Sequence, residues 1–467
     1  MANMKIIQPS IMSQFPTSNP TRDSIILILS GSFLLYILML KIILSYQRRK
    51  FAKQNHCLPP ASYPHIDPIY GFDLVVSNIL AARKDKFIET YQKRFQSLGV
   101  NTYSSLFFGT TMINTVDVEN IKTILATGFK DYELASRRKD AMMPIFGKGS
   151  QVADLSVFER HIQKLIKRIP ANGDTVDLSK LFFMLTIDSG LATEFLFGES
   201  TETLDETKAD SPGHRYSEAY DYLSEQTSKE IRHLLPPQKS ESTDQDRYIF
   251  LEELAKSGQS ASKIQAELLN ILLAGRDTTA SLLTVLFMIL SREKNVLAKL
   301  RKEVMSLEGR NPTFEEIKDM KYLKWCINET MRLYPIVPTT SRVAIRDTVL
   351  PRGGGPDEKS PTMVKKGDLV QWSSYVLHRR TDIYGEDADQ FRPERWEKLR
   401  VVWEYIAFSG GPRICIGQQF ALTEASYTTI RLLQTFPKIE ARDDNPFTEW
   451  LTLTMSNKWG CQVGMFR

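Results

Sequence analysis

One cysteine of the sequence stands in a setting that suits metal ligation. Residues 408–421 read FSGGPRICIGQQFA, which places Cys415 in a glycine-rich loop directly before a predicted helix. The free N–H groups at the start of a helix stabilise negative charge, so they favour a thiolate here. Glycines at 410 and 411 permit a tight turn and a close approach to a flat ligand, and Gly417 leaves room where the helix begins. Cys415 is therefore predicted to be a thiolate ligand; the alternative is a structural cysteine buried in a turn.

The other titratable residues narrow the chemistry. The four cysteines show no CxxC spacing and the six histidines form no HExxH motif, so neither zinc nor a disulfide framework is predicted. Arg413, two residues before Cys415, could pair with a carboxylate of a ligand. The net charge of +5, from 60 basic and 55 acidic residues, is too small to indicate a nucleic-acid partner.

A run of polar residues interrupts an apolar segment. Residues 262–290 lack proline and repeat apolar residues at helical spacing, which predicts a long and largely buried helix. Within it, residues 274–279 read AGRDTT. Buried polar groups need partners, so such a run requires a reason. It indicates either a kink, with threonine hydroxyls bonded to the preceding turn, or a site for acid and alcohol chemistry.

The cysteine loop resembles that of a known family. Phe408, Gly411, Arg413, Cys415 and Gly417 match the F-x-x-G-x-R-x-C-x-G haem loop of the cytochrome P-450 superfamily. The resemblance implies a mainly α fold with small β-sheets and a haem b cofactor whose iron is ligated by Cys415. It also implies a monooxygenase, which inserts one oxygen atom of O2 into a substrate, because thiolate donation favours O–O cleavage.

The same resemblance assigns roles to residues of the predicted long helix. Ala274 and Gly275 would leave space for oxygen over the haem. Thr278 would hydrogen-bond dioxygen or a water beside it, and Asp277 would relay protons from solvent. Arg342 occupies the place of a propionate-binding arginine; the alternative is an ordinary surface arginine.

Three charged residues are predicted to be structural. Glu329 and Arg332 lie three residues apart on one helix face and are followed by Leu-Tyr-Pro. They resemble the buried glutamate–arginine pair of the family, and Arg395 in the segment FRPERW resembles its third member. The three would support the cysteine loop from behind, and breaking one member of such a buried pair is costly.

The N-terminal part predicts a membrane anchor. Residues 25–45 read IILILSGSFLLYILMLKIILS, which is long enough to cross a bilayer and has Lys41 as its single charge. Basic residues 48–50 follow, so the positive-inside rule places the N-terminus in the lumen and the remainder in the cytosol. A cleaved signal peptide is the alternative, but its apolar region would be shorter. We expect a single-pass protein of the endoplasmic reticulum membrane.

Four parts are predicted along the chain. Residues 1–24 form a lumenal N-terminus, 25–46 the anchor, 47–70 a basic and proline-rich linker, and 71–467 one monooxygenase domain. Further expected elements of this domain are helices over 314–333 and 418–436, a hairpin turn over 364–370 and a turn or loop over 351–356.

Longer strings resemble fungal alkane and fatty-acid terminal hydroxylases. They are NILLAGRDTTASLL (270–283), YVLHRRTDIYGEDADQFRPERW (375–396) and DPIYGFDLV (67–75). The resemblance implies a small apolar substrate, whether an alkane, a fatty acid or a secondary metabolite. It also implies electrons from a membrane NADPH–haemoprotein reductase. NADPH would act only through that partner, since the chain has no GxGxxG after a strand and no GKS/T fingerprint.

The sequence departs from the family at two places. Relatives carry a W-x-x-x-R segment whose Trp and Arg contact the haem propionates, but the first tryptophan here is Trp325. That gap lies near 149–151, and a second lies within 216–248, where relatives have two long helices over the substrate pocket. A mis-spliced or decayed gene would give this pattern.

Two alternatives to an oxygen-dependent hydroxylase therefore stay open. One is a catalytically impaired or non-enzymatic haem binder, which the two gaps favour. The other is a haem-thiolate isomerase or peroxide-using enzyme, which needs no reductase. The presence of both Asp277 and Thr278 argues against the latter, because such enzymes need no proton relay to dioxygen.

Overall fold

The chain divides into two compact units, Met1–Cys57 and Leu58–Arg467. A computed structural model describes residues 20–134, 155–188, 203–205, 255–256, 258–452 and 454–467. Both predicted gaps, near 149–151 and within 216–248, lie outside these residues.

The described part of the first unit is mainly one long helix, α1, over Pro20–Gln54. Its part Leu29–Gln54 is long and apolar enough to cross a membrane, and none of its most apolar window is buried. The helix contains the predicted anchor and continues through the basic residues as far as Gln54, into the segment that the sequence assigns to the linker. A second helix, Ala261–Arg292, passes the same test, but it is mostly buried, as the core helix of a folded domain would be.

Helices dominate the second unit. Those described are α2 Phe72–Arg83, α3 Phe87–Leu98, α4 Val118–Lys122, α5 Ser156–Arg168, α6 Leu178–Asp188, α7 Ala261–Arg292, α8 Lys294–Met305, α9 Phe314–Asp319, α10 Lys321–Leu333, α11 Ser374–Leu377, α12 Thr381–Tyr384, α13 Arg395–Lys398 and α14 Gln418–Thr435. A π-helical turn over Thr123–Thr127 follows α4, and 3-10 turns occupy Phe129–Asp131 and Gly411–Arg413.

The strands form small sheets. They are β1 Ala61–Ser62, β2 Thr102–Phe107, β3 Thr110–Thr115, β4 Tyr132–Glu133, β5 Asn172–Asp177, β6 Thr339–Ala344, β7 Thr348–Gly354, β8 Ser360–Val364, β9 Leu369–Ser373, β10 Lys438–Ala441, β11 Glu449–Leu451, β12 Met455–Asn457 and β13 Gln462–Phe466. One sheet has the order β1-β2-β3-β9-β6-β4, a second β10-β13-β5, and two pairs are β11-β12 and β7-β8. The predicted class, mainly α with small sheets, is confirmed.

The long helix α7 positions the site. Residues 279–291 of this helix are buried, and among them Leu283, Leu286, Phe287 and Leu290 have no exposed surface. Each fully buried side chain of this size contributes about 1.5–3 kcal/mol. The helix packs against α6, α10 and α14, so it is held in place from several directions.

The predicted elements are largely present, with two corrections. The helices expected over 262–290 and 418–436 are α7 and α14. The helix expected over 314–333 is wrong as a single element, since Met320 is extended and separates α9 from α10. The turn expected over 351–356 is also wrong in part, because residues up to Gly354 belong to β7 and pair with β8 across an irregular register. The hairpin turn expected over 364–370 joins β8 to β9, which belong to different sheets.

Candidate functional site

A cavity of about 420 Å³ lies between α7, the strands β6 and β9, and the cysteine loop, residues 408–417. It brings together residues from distant parts of the chain. Eight predicted site residues line it: Ala274, Gly275, Thr278, Arg342, Phe408, Arg413, Cys415 and Gly417. Five others do not: Asp277, Gly411, Glu329, Arg332 and Arg395. The remaining lining is mainly apolar and includes Ile271, Leu282, Met331, Ile336, Val337 and Ile406.

The loop presents the thiol of Cys415 to this cavity. The Cys415 N–H donates to the Phe408 carbonyl over 2.9 Å, which closes the loop. The side chain is open to the cavity, but protein surrounds the cavity, and this burial raises the pKa of the Cys415 thiol. The N–H groups of Gly417 and Gln418, at the start of α14, act in the opposite direction and lower the pKa. The arrangement therefore provides a sulfur ligand with two donors that stabilise its thiolate form.

Two arginines line the cavity beside the thiol. Arg342 is 6% exposed, donates to the Ser341 carbonyl over 2.8 Å and lies 5.2 Å from the Trp372 ring. Burial and then the nearby Arg413 lower the pKa of Arg342 to about 10. Among the described residues, no carboxylate forms an ion pair with either arginine. Two cations that face one cavity without an acidic partner fit a ligand that brings its own anionic groups, as the two propionates of haem do.

Some residues of the polar run 274–279 in α7 line the cavity, and others do not. The Thr278 hydroxyl donates to the Ala274 carbonyl over 2.7 Å, which is the back-bonding of the kink alternative, and the side chain also lines the cavity. Asp277 is buried and pairs with Arg276 at 2.9 Å. Burial raises the pKa of Asp277 against the attraction of Arg276. Thr279 lines the cavity too, and sequence reasoning did not single it out.

Gly410 and Gly411 of the cysteine loop lie against other segments of the protein. Gly411 has a φ of +66°, and a Cβ there would overlap the carbonyl oxygen of Leu125 in the π-helical turn. At Gly410 a Cβ would lie 2.5 Å from the Trp403 ring. The sequence predicts that these glycines approach a flat ligand; the structure shows that both lie close to neighbouring chain segments. They fix the loop, and other residues of the loop, among them Phe408, Arg413, Cys415 and Gly417, line the cavity.

The three predicted structural residues form one buried network. Arg332 donates to Glu329 over 2.8 and 2.9 Å, and both side chains have no exposed surface. Arg395 donates to Glu329 over 3.0 Å, as does the indole of Trp396. The network is fully hydrogen-bonded, which a buried cluster of charges requires.

The fold and the cavity define a mainly helical protein that offers one thiol and two cations to a single ligand. The family model described as Cytochrome P-450 matches residues 213–459. The cytochrome P-450 monooxygenase himC of Aspergillus japonicus is 41% identical over 485 residues, covering 91% of this chain and 87% of its own. The chain belongs to the cytochrome P-450 family, whose members carry a haem-thiolate iron, and it is an oxidoreductase of the monooxygenase type.

Other relatives give the same result. The cytochrome P-450 monooxygenase fsdH of Fusarium heterosporum is 38% identical over 501 residues, covering 92% of this chain and 87% of its own. Cytochrome P-450 52A13 of Debaryomyces hansenii is 36% identical over 486 residues, covering 89% and 93%. All three alignments are longer than the 467 residues of this chain, so they must open gaps within it.

Proposed function

We propose that the chain is a haem-thiolate monooxygenase in which Cys415 is the protein ligand of the iron. The observation that supports this assignment is the position of its thiol, which lines the same cavity as Arg342 and Arg413. When bound, the haem supplies the oxygen-activating chemistry. Cys415 would bind it as the thiolate, and Arg342 and Arg413 would pair with its carboxylates.

The remaining cavity residues would hold substrate and control protons. The apolar side chains Ile271, Leu282 and Ile336 exclude water and fit an apolar molecule. Thr278 would present its hydroxyl at the cavity, and Asp277 would pass protons from the Arg276 side of α7. Ala274 and Gly275 carry small side chains where α7 borders the cavity.

The iron ligand can be tested by substitution. Cys415→Ala should abolish the thiolate-type band of the ferrous–CO complex, whereas Cys57→Ala, at a half-buried cysteine that is not among the residues lining the cavity, should preserve it. Retention of the band in Cys415→Ala would refute the assignment.

We propose an alkane, a fatty acid or an apolar secondary metabolite as the substrate. The apolar cavity lining and the resemblance of three strings to alkane and fatty-acid hydroxylases support this class. Titration of the purified protein with fatty acids of increasing length should shift the haem spectrum at some chain length. Absence of a shift at every length would exclude the lipid substrate.

We further propose that the protein is anchored in the endoplasmic reticulum membrane with its second unit in the cytosol, where an NADPH–haemoprotein reductase supplies electrons. The basic residues that follow the apolar part of α1 support this orientation. The second unit exposes Phe72, Val76, Ile79 and Leu80 on one face of α2, with Phe108 5.9 Å from Phe72, and this apolar surface suits contact with lipid. Digestion of intact microsomes by added protease should remove the second unit; its protection would place it in the lumen.

The second candidate function is a haem binder without turnover. The gaps that the alignments with relatives open in this chain favour it. Measuring NADPH consumption and product in the presence of a reductase and substrate distinguishes the monooxygenase from the haem binder, because only a working monooxygenase couples NADPH consumption to product formation.

A further inference from the structure

In the described part of the chain, the buried glutamate–arginine network makes no hydrogen bond to the cysteine loop. Among the described residues, the hydrogen bonds of Glu329, Arg332 and Arg395 reach no residue from 404 to 417. If this network supports the loop from behind, another residue must transmit the support. His378 meets that requirement, and the sequence analysis assigned it no role.

His378 is hydrogen-bonded both to the buried network and to the segment that precedes the cysteine loop. It follows α11 and has no exposed surface. Its carbonyl accepts a hydrogen bond from Arg332 over 2.8 Å, and its ring Nε2 accepts one from the Ile406 N–H over 3.0 Å. Ile406 is two residues before the loop, and its side chain lines the cavity.

The bond to Ile406 fixes the form of the imidazole. Because Nε2 accepts, the proton of the neutral ring must be on Nδ1. The ring packs against Tyr405 at 5.0 Å and Tyr384 at 6.4 Å, so it cannot turn without displacing them. Beyond Ile406 the chain turns, since the Ser409 N–H donates to the Ile406 carbonyl over 2.9 Å, and the Cys415 N–H then donates to Phe408.

We propose that His378 is a positioning residue, whose neutral imidazole fastens the Ile406 amide, and with it the start of the cysteine loop, to the buried network. The effect of His378 on the iron ligand rests on the proposed function, but its hydrogen bond with the Ile406 N–H does not. The fold uses an imidazole here because it accepts at a distance from the backbone that a shorter side chain does not reach.

Two amide variants separate this role from general packing. The side-chain carbonyl of His378→Gln can reach the place of Nε2, whereas that of His378→Asn stops near the place of Nδ1. In His378→Asn the Ile406 amide should exchange with deuterium about tenfold faster, because it loses its buried acceptor. In His378→Gln the rate should stay close to that of the wild type. His378→Leu takes the place of the Asn variant if the latter does not fold.

The control is Tyr91→Phe, which removes a buried hydrogen bond of 2.9 Å to Asn114, away from the cavity. It should leave Ile406 exchange unchanged relative to other core amides. Equal Ile406 exchange in the Gln variant, the Asn variant and the wild type would overturn the proposal. Acceleration spread evenly over the core amides would also overturn it, because that marks general destabilisation.

A second measurement tests the consequence for the ligand. The share of the ferrous–CO complex in the thiolate form should fall in His378→Asn and be retained in His378→Gln. Exchange is measured on the protein whether or not it holds haem. A failure of Cys415 as the ligand would therefore remove the spectral effect and leave the exchange effect in place.

Discussion

At the scale of single residues, two adjacent hydroxyls of α7 differ in their partners. The Thr278 hydroxyl donates to the Ala274 carbonyl and still borders the cavity, so its lone pairs can accept a hydrogen bond from a neighbouring group. The Thr279 hydroxyl is buried and has no hydrogen-bond partner in the described part of the chain. The structure thus retains both alternatives for Thr278, a back-bonded helix residue and a hydroxyl that can take part in hydrogen bonding at the cavity.

Substitution of Thr278 distinguishes these alternatives. Thr278→Ala should retain haem binding but divert reducing equivalents to hydrogen peroxide, lowering product per NADPH at least about tenfold, because positioned proton transfer is lost. Thr278→Ser keeps the hydroxyl and should retain most of the coupling. The measurement is product and peroxide per NADPH with a reductase. An unchanged ratio in Thr278→Ala would show that the hydroxyl serves the helix alone.

The pH dependence of stability tests the state of His378. Burial, and then Arg332 and Arg379, lower the pKa of His378 from 6.5 to about 3; Tyr384 and Tyr405 pack on its ring. Between these values the unfolded chain binds the additional proton, so stability is present above pH 6.5 and is lost as the pH falls. From pH 6.5 to 5 the loss should be roughly 1.5 kcal/mol.

The comparison protein for this effect is His378→Gln, which cannot titrate there. Urea unfolding at both pH values should show the wild type losing more stability than the variant, while all other groups titrate alike. An equal loss in the two proteins would mean that the folded chain protonates His378 normally.

At the scale of elements, the buried network joins α10 to α13 and to the segment between α12 and α13. Glu329 on α10 accepts from Arg332 of the same helix, and from Arg395 and Trp396 of α13. Arg332 donates further to the carbonyls of Ala388 and Gln390. The carboxylate of Glu329 is therefore the shared acceptor of two buried cations.

Removing that acceptor should destabilise the fold strongly. Glu329→Ala leaves Arg332 and Arg395 buried without their charge partner, a change that typically costs about 3–5 kcal/mol. The control is Glu316→Ala, which breaks the exposed pair with Arg310 and the capping box with Thr313, and it should shift the unfolding midpoint far less. Urea unfolding of both variants is the measurement, and equal shifts would contradict the buried network.

Sequence patterns predicted the residues that lie within one motif, and the structure showed the contacts between residues that are distant in sequence. The cysteine motif and the AGRDTT run indicated residues that line one cavity, because each motif places its residues within one loop or helix. Neither could show that Gly411 meets Leu125, or that His378 holds Ile406, since these pairs depend on the packing of separate segments. The capping box of Thr313 and Glu316 marks the start of α9, but it does not indicate how soon the helix ends, so it could not predict the break at Met320.

At the scale of the whole molecule, the question is how firmly this chain retains haem. The described part of the cavity supplies Cys415 and the two arginines Arg342 and Arg413. The resemblance to the family implies a further Trp and Arg from a W-x-x-x-R segment, and this motif is missing from the sequence near 149–151, outside the described residues. The gaps that alignments with himC and fsdH open in this chain agree with a lost segment.

We therefore predict that the chain binds haem weakly. Buried propionates need cationic partners, and each charge-assisted hydrogen bond contributes about 1.5–3 kcal/mol. Losing two such contacts should weaken haem binding by roughly two to four orders of magnitude, since 1.4 kcal/mol is tenfold.

The test compares this 467-residue chain with a version in which the helix of himC is inserted near residue 150. Haem content per protein and the rate of haem transfer to apomyoglobin are measured for both. A third version, with the same helix but alanines for its Trp and Arg, separates the two contacts from the added length. The full insertion should slow haem loss and the alanine version should not. Equal haem retention in all three would show that another segment, such as residues 151–169, already supplies the missing contacts.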